Sequence, residues 1–69
     1  MAKIKIFLNG DLIEIEKNLN ISQLLASLDL DASKIAIEKD LEIIHPQNFG
    51  EIIIQNNSKI EIVHFIGGG

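Results

Sequence analysis

Residues 3–16 read KIKIFLNGDLIEIE, and the two alternating apolar runs around Asn9-Gly10 predict a β-hairpin. A type I′ turn needs positive φ at both central positions, and Asn-Gly is the dipeptide that best accepts it. The alternation places the isoleucines of both strands toward the core. The first strand is therefore predicted over Lys3–Leu8 and the second over residues 12–16.

The next segment, NISQLLASL at residues 20–28, predicts a short amphipathic helix. Asn20 has the character of an N-cap, and Gln23 stands three residues later, at the spacing of a capping box. The apolar residues form a single stripe at i, i+3, i+4 and i+7, namely Ile21, Leu24, Leu25 and Leu28. Two to three turns of helix depend on docking against the hairpin for their stability.

Further strands are predicted over residues 34–38, 41–44 and 59–66, with a turn at Lys39-Asp40 and a loop or single turn over residues 46–51 pinned by Phe49. Residues 52–54 are apolar but too few to classify. A hairpin, a helix and then more strands indicate an α+β fold with the helix across one face of the sheet. This order is that of the β-grasp (ubiquitin-like) arrangement, with a domain of residues 1–66 and a flexible glycine tail of residues 67–69. The mixed sheet, in which the last strand lies beside the first, is what the resemblance to that fold implies.

The composition restricts the function more than it defines it. The 69 residues contain no cysteine, so disulfides and thiolate metal sites are excluded. A net charge of −4 disfavours nucleic acid, and neither a signal peptide nor a membrane span is visible, so a cytoplasmic protein is expected. His45 and His64 lack partners at metal-ligand spacing, and no metal or bound cofactor is predicted.

Gly67-Gly68-Gly69 follow directly on the apolar run of the last predicted strand. A tail without Cβ atoms can thread a narrow channel and present its terminal carboxylate to another protein's active site. A glycine terminus by itself is more often simply frayed. The tail acquires a functional interpretation only together with the fold.

This chain resembles the ubiquitin-like sulfur carrier proteins, and among them most closely the ThiS family of thiamine (thiazole) biosynthesis. The resemblance spans the chain, from the Asn9-Gly10 turn and the capped helix to IHPQNF at residues 44–49 and the glycine terminus. Phe49 stands where members of that family carry Trp or a similar residue, and Asn20 where they often carry Thr. Molybdopterin synthase's small subunit shares the fold and the Gly-Gly end but is usually longer.

The resemblance implies that the chain is a protein cosubstrate and not an enzyme. The carboxylate of Gly69 would be adenylated by a ThiF-like adenylating enzyme that uses ATP. Sulfur from a cysteine desulfurase would then convert it to a terminal thiocarboxylate, which supplies sulfur to thiazole synthase (ThiG). Gly67 and Gly68 would enter the channels of both partners.

Alternation also predicts where those partners dock. Phe7 on the first strand, with Val63 and Phe65 on the last, should face outward and form an exposed apolar patch beside the tail if the two strands are neighbours. The alternative is a less regular last strand with Phe65 folded onto the sheet edge. Three functions stay open at this point: a sulfur carrier for thiamine or molybdopterin synthesis, a ubiquitin-like protein modifier, and a non-covalent interaction domain.

Overall fold

The computed structural model describes residues 2–65. In chain order they form five strands and one helix: β1 (Lys3–Leu8), β2 (Asp11–Glu16), α1 (Ile21–Ser27), β3 (Ile35–Lys39), β4 (Glu42–Ile44) and β5 (Lys59–His64). Single turns of 3-10 helix precede β3 at Ala32–Lys34 and follow β4 at Pro46–Asn48. None of these helical segments of residues 2–65 could span a bilayer.

The strands form one mixed sheet in the order β2-β1-β5-β3-β4. β1 and β5 run parallel, and the other neighbouring pairs are antiparallel. The last strand therefore lies in the centre of the sheet beside the first, as expected from the β-grasp arrangement. This placement gives the strand that leads to the glycine tail a hydrogen-bonded neighbour on each side.

The first hairpin has the predicted turn and register. Asn9 and Gly10 both adopt positive φ, 49° and 86°, as a two-residue type I′ loop requires. Ile6 pairs with Ile13, and Ile4 with Ile15, so the isoleucines share one face. The predicted division between core-facing and solvent-facing residues is confirmed for this hairpin.

The helix begins as predicted and ends one residue earlier than its apolar stripe. The Asn20 side chain accepts a hydrogen bond from the Gln23 backbone N–H at 2.7 Å, and the Gln23 side chain accepts one from the Asn20 N–H at 2.9 Å. This is a complete capping box. Leu28 is the C-cap and is 37% exposed, so the prediction that it belongs to the buried stripe is wrong.

The core lies between α1 and the inner face of the sheet. Its centre consists of isoleucine and leucine side chains with one phenylalanine: Ile6, Ile15, Ile21, Leu24, Leu25, Ile35, Ile37, Phe49, Ile54, Ile60 and Ile62. Phe49 is buried, which confirms that it pins the loop after β4. Residues 52–54 form no strand, since Ile53 makes only an isolated bridge to Asn20. Ile54 is nevertheless buried in the core.

Three predicted boundaries need correction. β3 begins at Ile35 because residues 32–34 form a 3-10 turn capped by Asp31. The turn between β3 and β4 consists of Asp40 and Leu41, both at positive φ, and not of Lys39-Asp40. β5 ends at His64, two residues before the predicted end at residue 66, which lies outside the described residues.

Candidate functional site

β5 is held from the β1 side by the turn of the first hairpin. β1 ends at Leu8, opposite Ile60, and has no residue in the ladder to pair with the next part of β5. Asn9 fills this place: its backbone N–H donates to the Ile60 carbonyl at 2.9 Å, and its Oδ1 accepts the Ile62 N–H at 2.7 Å. The turn residue therefore also anchors the strand that carries the tail.

The beginning of β5 is fixed by the second hairpin. The Asp40 carboxylate accepts the Lys59 backbone N–H at 2.9 Å and the Lys39 ammonium at 3.1 Å, while the Asp40 N–H donates to the Lys59 carbonyl at 2.8 Å. The bond from the Lys59 N–H, followed by the one from Lys39, holds the pKa of Asp40 below its ordinary value of 3.8. The first half of β5 is thus attached to both hairpin turns.

Backbone pairing extends to the last residue that the structure describes after β5, Phe65. The Phe65 N–H donates to the Lys34 carbonyl at 3.0 Å, so backbone pairing continues one residue past the strand. The Phe65 side chain is 61% exposed, in line with an outward position. Gly67, Gly68 and Gly69, predicted to carry the chemistry, lie outside the described residues.

Phe7, Val63 and Phe65 do not form the single patch expected from alternation. Phe7 lies opposite Lys59, so Val63 is four residues, or about 13 Å, further along β5. Glu61 stands between Lys59, the neighbour of Phe7, and Val63 on the same face. The prediction that these three side chains form one continuous patch is wrong. Alternation specifies the face on which a residue lies, whereas the register between β1 and β5 specifies which residues are neighbours.

The outer face carries two separate apolar clusters instead. Phe7, which is half-buried, pairs across the first hairpin with the exposed Leu12. Val63, 59% exposed, is opposite Ala36 on β3 and shares a groove with Ile43 of β4, which is 70% exposed. Ala36 and Ile43 were not among the predicted contact residues, although the alternation of residues 41–44 places Ile43 and Ile44 on opposite faces of the sheet.

The two histidines belong to neither apolar cluster. His45 precedes the 3-10 turn after β4, and His64 ends β5; both are exposed. Among residues 2–65, no group of three His, Cys, Asp or Glu side chains is placed to hold a metal ion.

The sheet order, the single helix across one face and the C-terminal glycines define a ubiquitin-like β-grasp protein. The same fold occurs in the thiamine biosynthesis protein (ThiS) of Geobacter metallireducens. Its crystal structure superposes with a TM-score of 0.84 at 23% identity and covers 96% of this chain and 100% of that one. The structural likeness at this identity concerns the fold.

Sequence comparison gives the family. The ThiS family model matches residues 6–69, which include all three terminal glycines. The sulfur carrier protein ThiS of Bacillus subtilis is 38% identical over 63 residues, 90% of this chain and 96% of that protein. The chain belongs to the ThiS family.

A second relative differs in length. A thiazole synthase of Paramagnetospirillum magneticum is 33% identical over 66 residues, which cover 96% of this chain. The chain spans only 20% of the length of that synthase. In that relative, a sequence like this one is therefore one part of a larger thiazole synthase chain.

Proposed function

We propose that this chain is a sulfur carrier protein of thiamine biosynthesis whose Gly69 carboxylate is the acyl group that carries sulfur. The observation that supports it most directly is that the ThiS family match runs to the last residue and so includes the glycine terminus. The B. subtilis relative, which has nearly the same length, is a sulfur carrier by name. The chain then acts as a protein cosubstrate and not as a catalyst.

The proposed chemistry needs activation by another protein. A carboxylate is a poor electrophile until one oxygen becomes part of a good leaving group. A ThiF-like enzyme would form the acyl adenylate with ATP and release pyrophosphate. The outer sulfur of a cysteine desulfurase persulfide would displace AMP to form an acyl disulfide, and a second thiol of a partner protein would reduce it, leaving the thiocarboxylate on this chain and a disulfide on the partner. Thiazole synthase would then take the sulfur. The β-grasp domain supplies docking and position, because three extended glycines reach about 10 Å beyond it.

The docking part of the proposal uses the outer face of the sheet. Val63 and Phe65 are exposed at the end of the strand that leads to the tail, where a partner could contact them while Gly67 and Gly68 enter its channel. Phe7 would contribute from the second cluster, beside Leu12. We propose these residues as contacts for both the adenylating enzyme and thiazole synthase.

Mass spectrometry and genetic rescue test the proposed function together. In cells, a population of the intact chain should be about 16 Da heavier, as oxygen is replaced by sulfur at the activated acyl group. The full chain should rescue a thiamine auxotroph that lacks its own carrier, and a chain without Gly68 and Gly69 should not. The matched control is Gly50→Ala, a glycine change at a position without positive φ, where an added Cβ meets nothing closer than the Ser22 Oγ at 4.0 Å and the terminus stays intact.

Each alternative function predicts a different result in these experiments. Rescue of a molybdopterin-deficient strain, with no thiamine rescue, would assign the chain to the other sulfur-carrier pathway. Lysine-linked conjugates through Gly69 would indicate a protein modifier. Undiminished rescue by the truncated chain would contradict a carrier role and favour a non-covalent interaction domain.

A further inference from the structure

A shallow groove crosses the outer face of β5, β3 and β4. Its volume is about 120 Å³, and its apolar lining comes from Ala36, Ile43 and Val63. Two carboxylate side chains, Glu38 and Glu61, line the same groove. An apolar floor with two adjacent anions is suited to a ligand that is both aliphatic and cationic.

The two glutamates face each other without a cation between them. Glu38 of β3 and Glu61 of β5 are directly opposite in the antiparallel ladder, where like charges destabilise a sheet. Within residues 2–65 the ion pair that forms is Lys39 with Asp40, so neither glutamate has a lysine within ion-pair distance. Lys59, two residues before Glu61 on the same face, also makes no ion pair with it. The folded domain therefore retains an unfavourable charge pair on an exposed surface.

On the first hairpin, charged residues of this face are paired with opposite charges across the strands. Glu14 and Glu16 of β2 lie opposite Lys5 and Lys3 of β1, the arrangement that stabilises cross-strand pairs. The uncompensated pair is thus confined to the groove, beside the exposed Val63 and Ile43. A partner that places positive charge there would remove the repulsion and cover the apolar surface in one step.

We propose that this groove receives an arginine side chain of thiazole synthase. The guanidinium presents donors in a planar fork that can bond both carboxylates, and its methylene stem packs on Ile43 and Val63. The synthase is chosen as the partner because a relative carries this domain's sequence within a thiazole synthase chain. The proposal rests on the proposed carrier function and adds the chemistry by which one partner is recognised.

The test compares two double variants that remove the same charge from the same face. Glu38→Gln with Glu61→Gln alters the groove, and Glu14→Gln with Glu16→Gln is the matched control on β2. Affinity for purified thiazole synthase is measured by calorimetry at low and high salt. The groove variant should bind roughly tenfold more weakly and lose much of its salt dependence, while the control changes by less than about twofold.

A stability measurement separates lost contact from lost fold. Because the groove variant removes a repulsive pair, its urea midpoint should rise above that of the wild type, whereas the control's should fall slightly. Weaker binding by a more stable protein then locates the effect at the contact. Equal binding by the groove variant and the control would overturn the proposal.

Further outcomes distinguish failure of the groove proposal from failure of the carrier function. If the groove variant loses adenylation but binds the synthase normally, the groove serves the adenylating enzyme, and the assignment to the synthase is wrong. If the wild-type chain never acquires a thiocarboxylate in cells, the carrier function fails. A wild-type chain that carries sulfur, together with a groove variant that binds the synthase at full strength, would overturn the groove proposal alone.

Discussion

At the scale of single residues, Leu41 departs most from what its position favours. It is the second residue of the turn between β3 and β4, where φ is +74° and its side chain is 87% exposed. A type I′ loop normally has glycine at this point, as Gly10 does in the first hairpin. A branched side chain there stores backbone strain without contributing to the core.

Replacing Leu41 by glycine should therefore stabilise the domain. Relief of roughly 1–2 kcal/mol of left-handed strain, less roughly 0.5–1 kcal/mol of extra backbone entropy in the unfolded chain, leaves a gain of up to about 1.5 kcal/mol. Urea unfolding followed by circular dichroism measures it. Leu41→Ala is the control, since it removes the side chain and keeps the strain. An equal gain from both variants would contradict the backbone explanation.

At the scale of elements, each hairpin turn fastens one part of β5. Asn9 bonds to Ile60 and Ile62, and Asp40 bonds to Lys59. The turns were predictable as turns, except for the one-residue shift at Asp40-Leu41. Their bonds to β5 were not, because a turn signal is local and does not specify which distant strand will lie beside it.

The Asp40 attachment should be visible in the pH dependence of stability. The folded pKa of Asp40 is lowered, so its contribution is fully present above the ordinary value of 3.8 and is lost as pH falls through the lower folded value. Asp40→Asn should be less stable than the wild type near neutral pH, and the difference should shrink below about pH 4. Urea midpoints over this range measure it.

The control for this experiment is Asp29→Asn. Asp29 is also exposed and at positive φ, but within residues 2–65 its carboxylate accepts no hydrogen bond. Its substitution should leave the stability difference from wild type nearly independent of pH. A difference for Asp40→Asn that persists unchanged in acid would show that the carboxylate's charge is not what stabilises the hairpin.

At the scale of the whole molecule, exposed apolar side chains lie at the end of β5 and just after it: Val63 and Phe65, the latter four residues before Gly69 in the sequence. Phe65 is the last described residue before the tail and the one whose contact would aim it. The helix covers the opposite face, so a partner that binds the outer face does not disturb the core. Docking and folding can thus be altered separately.

Phe65→Ser should slow adenylation without unfolding the domain. Loss of an exposed aromatic contact is expected to lower the second-order rate with the ThiF-like enzyme by roughly tenfold. Pyrophosphate release measures this rate, and circular dichroism checks the fold. Leu28→Ser, at the end of α1 and remote from the outer face, is the control. Unaltered turnover of the Phe65 variant would remove this residue from the docking surface.

Features that depend on near neighbours were determined by the sequence itself. The Asn9-Gly10 turn, the Asn20 capping box and the order of strands and helix all follow from backbone preferences and side-chain bonds within a few residues. The glycine terminus and its family resemblance belong here too. Predicted boundaries differ from the observed ones by one or two residues, for example where a 3-10 turn precedes β3 and where the exposed C-cap Leu28 follows α1.

Only the tertiary structure decided what lies side by side on the sheet. The register of β1 against β5 separates Phe7 from Val63, and the pairing of β3 with β5 puts Glu38 opposite Glu61. Alternation specifies which face a residue occupies but not its partner on a strand far away in sequence. That choice is made by packing of the whole core, where shifting a register would expose buried isoleucines to water.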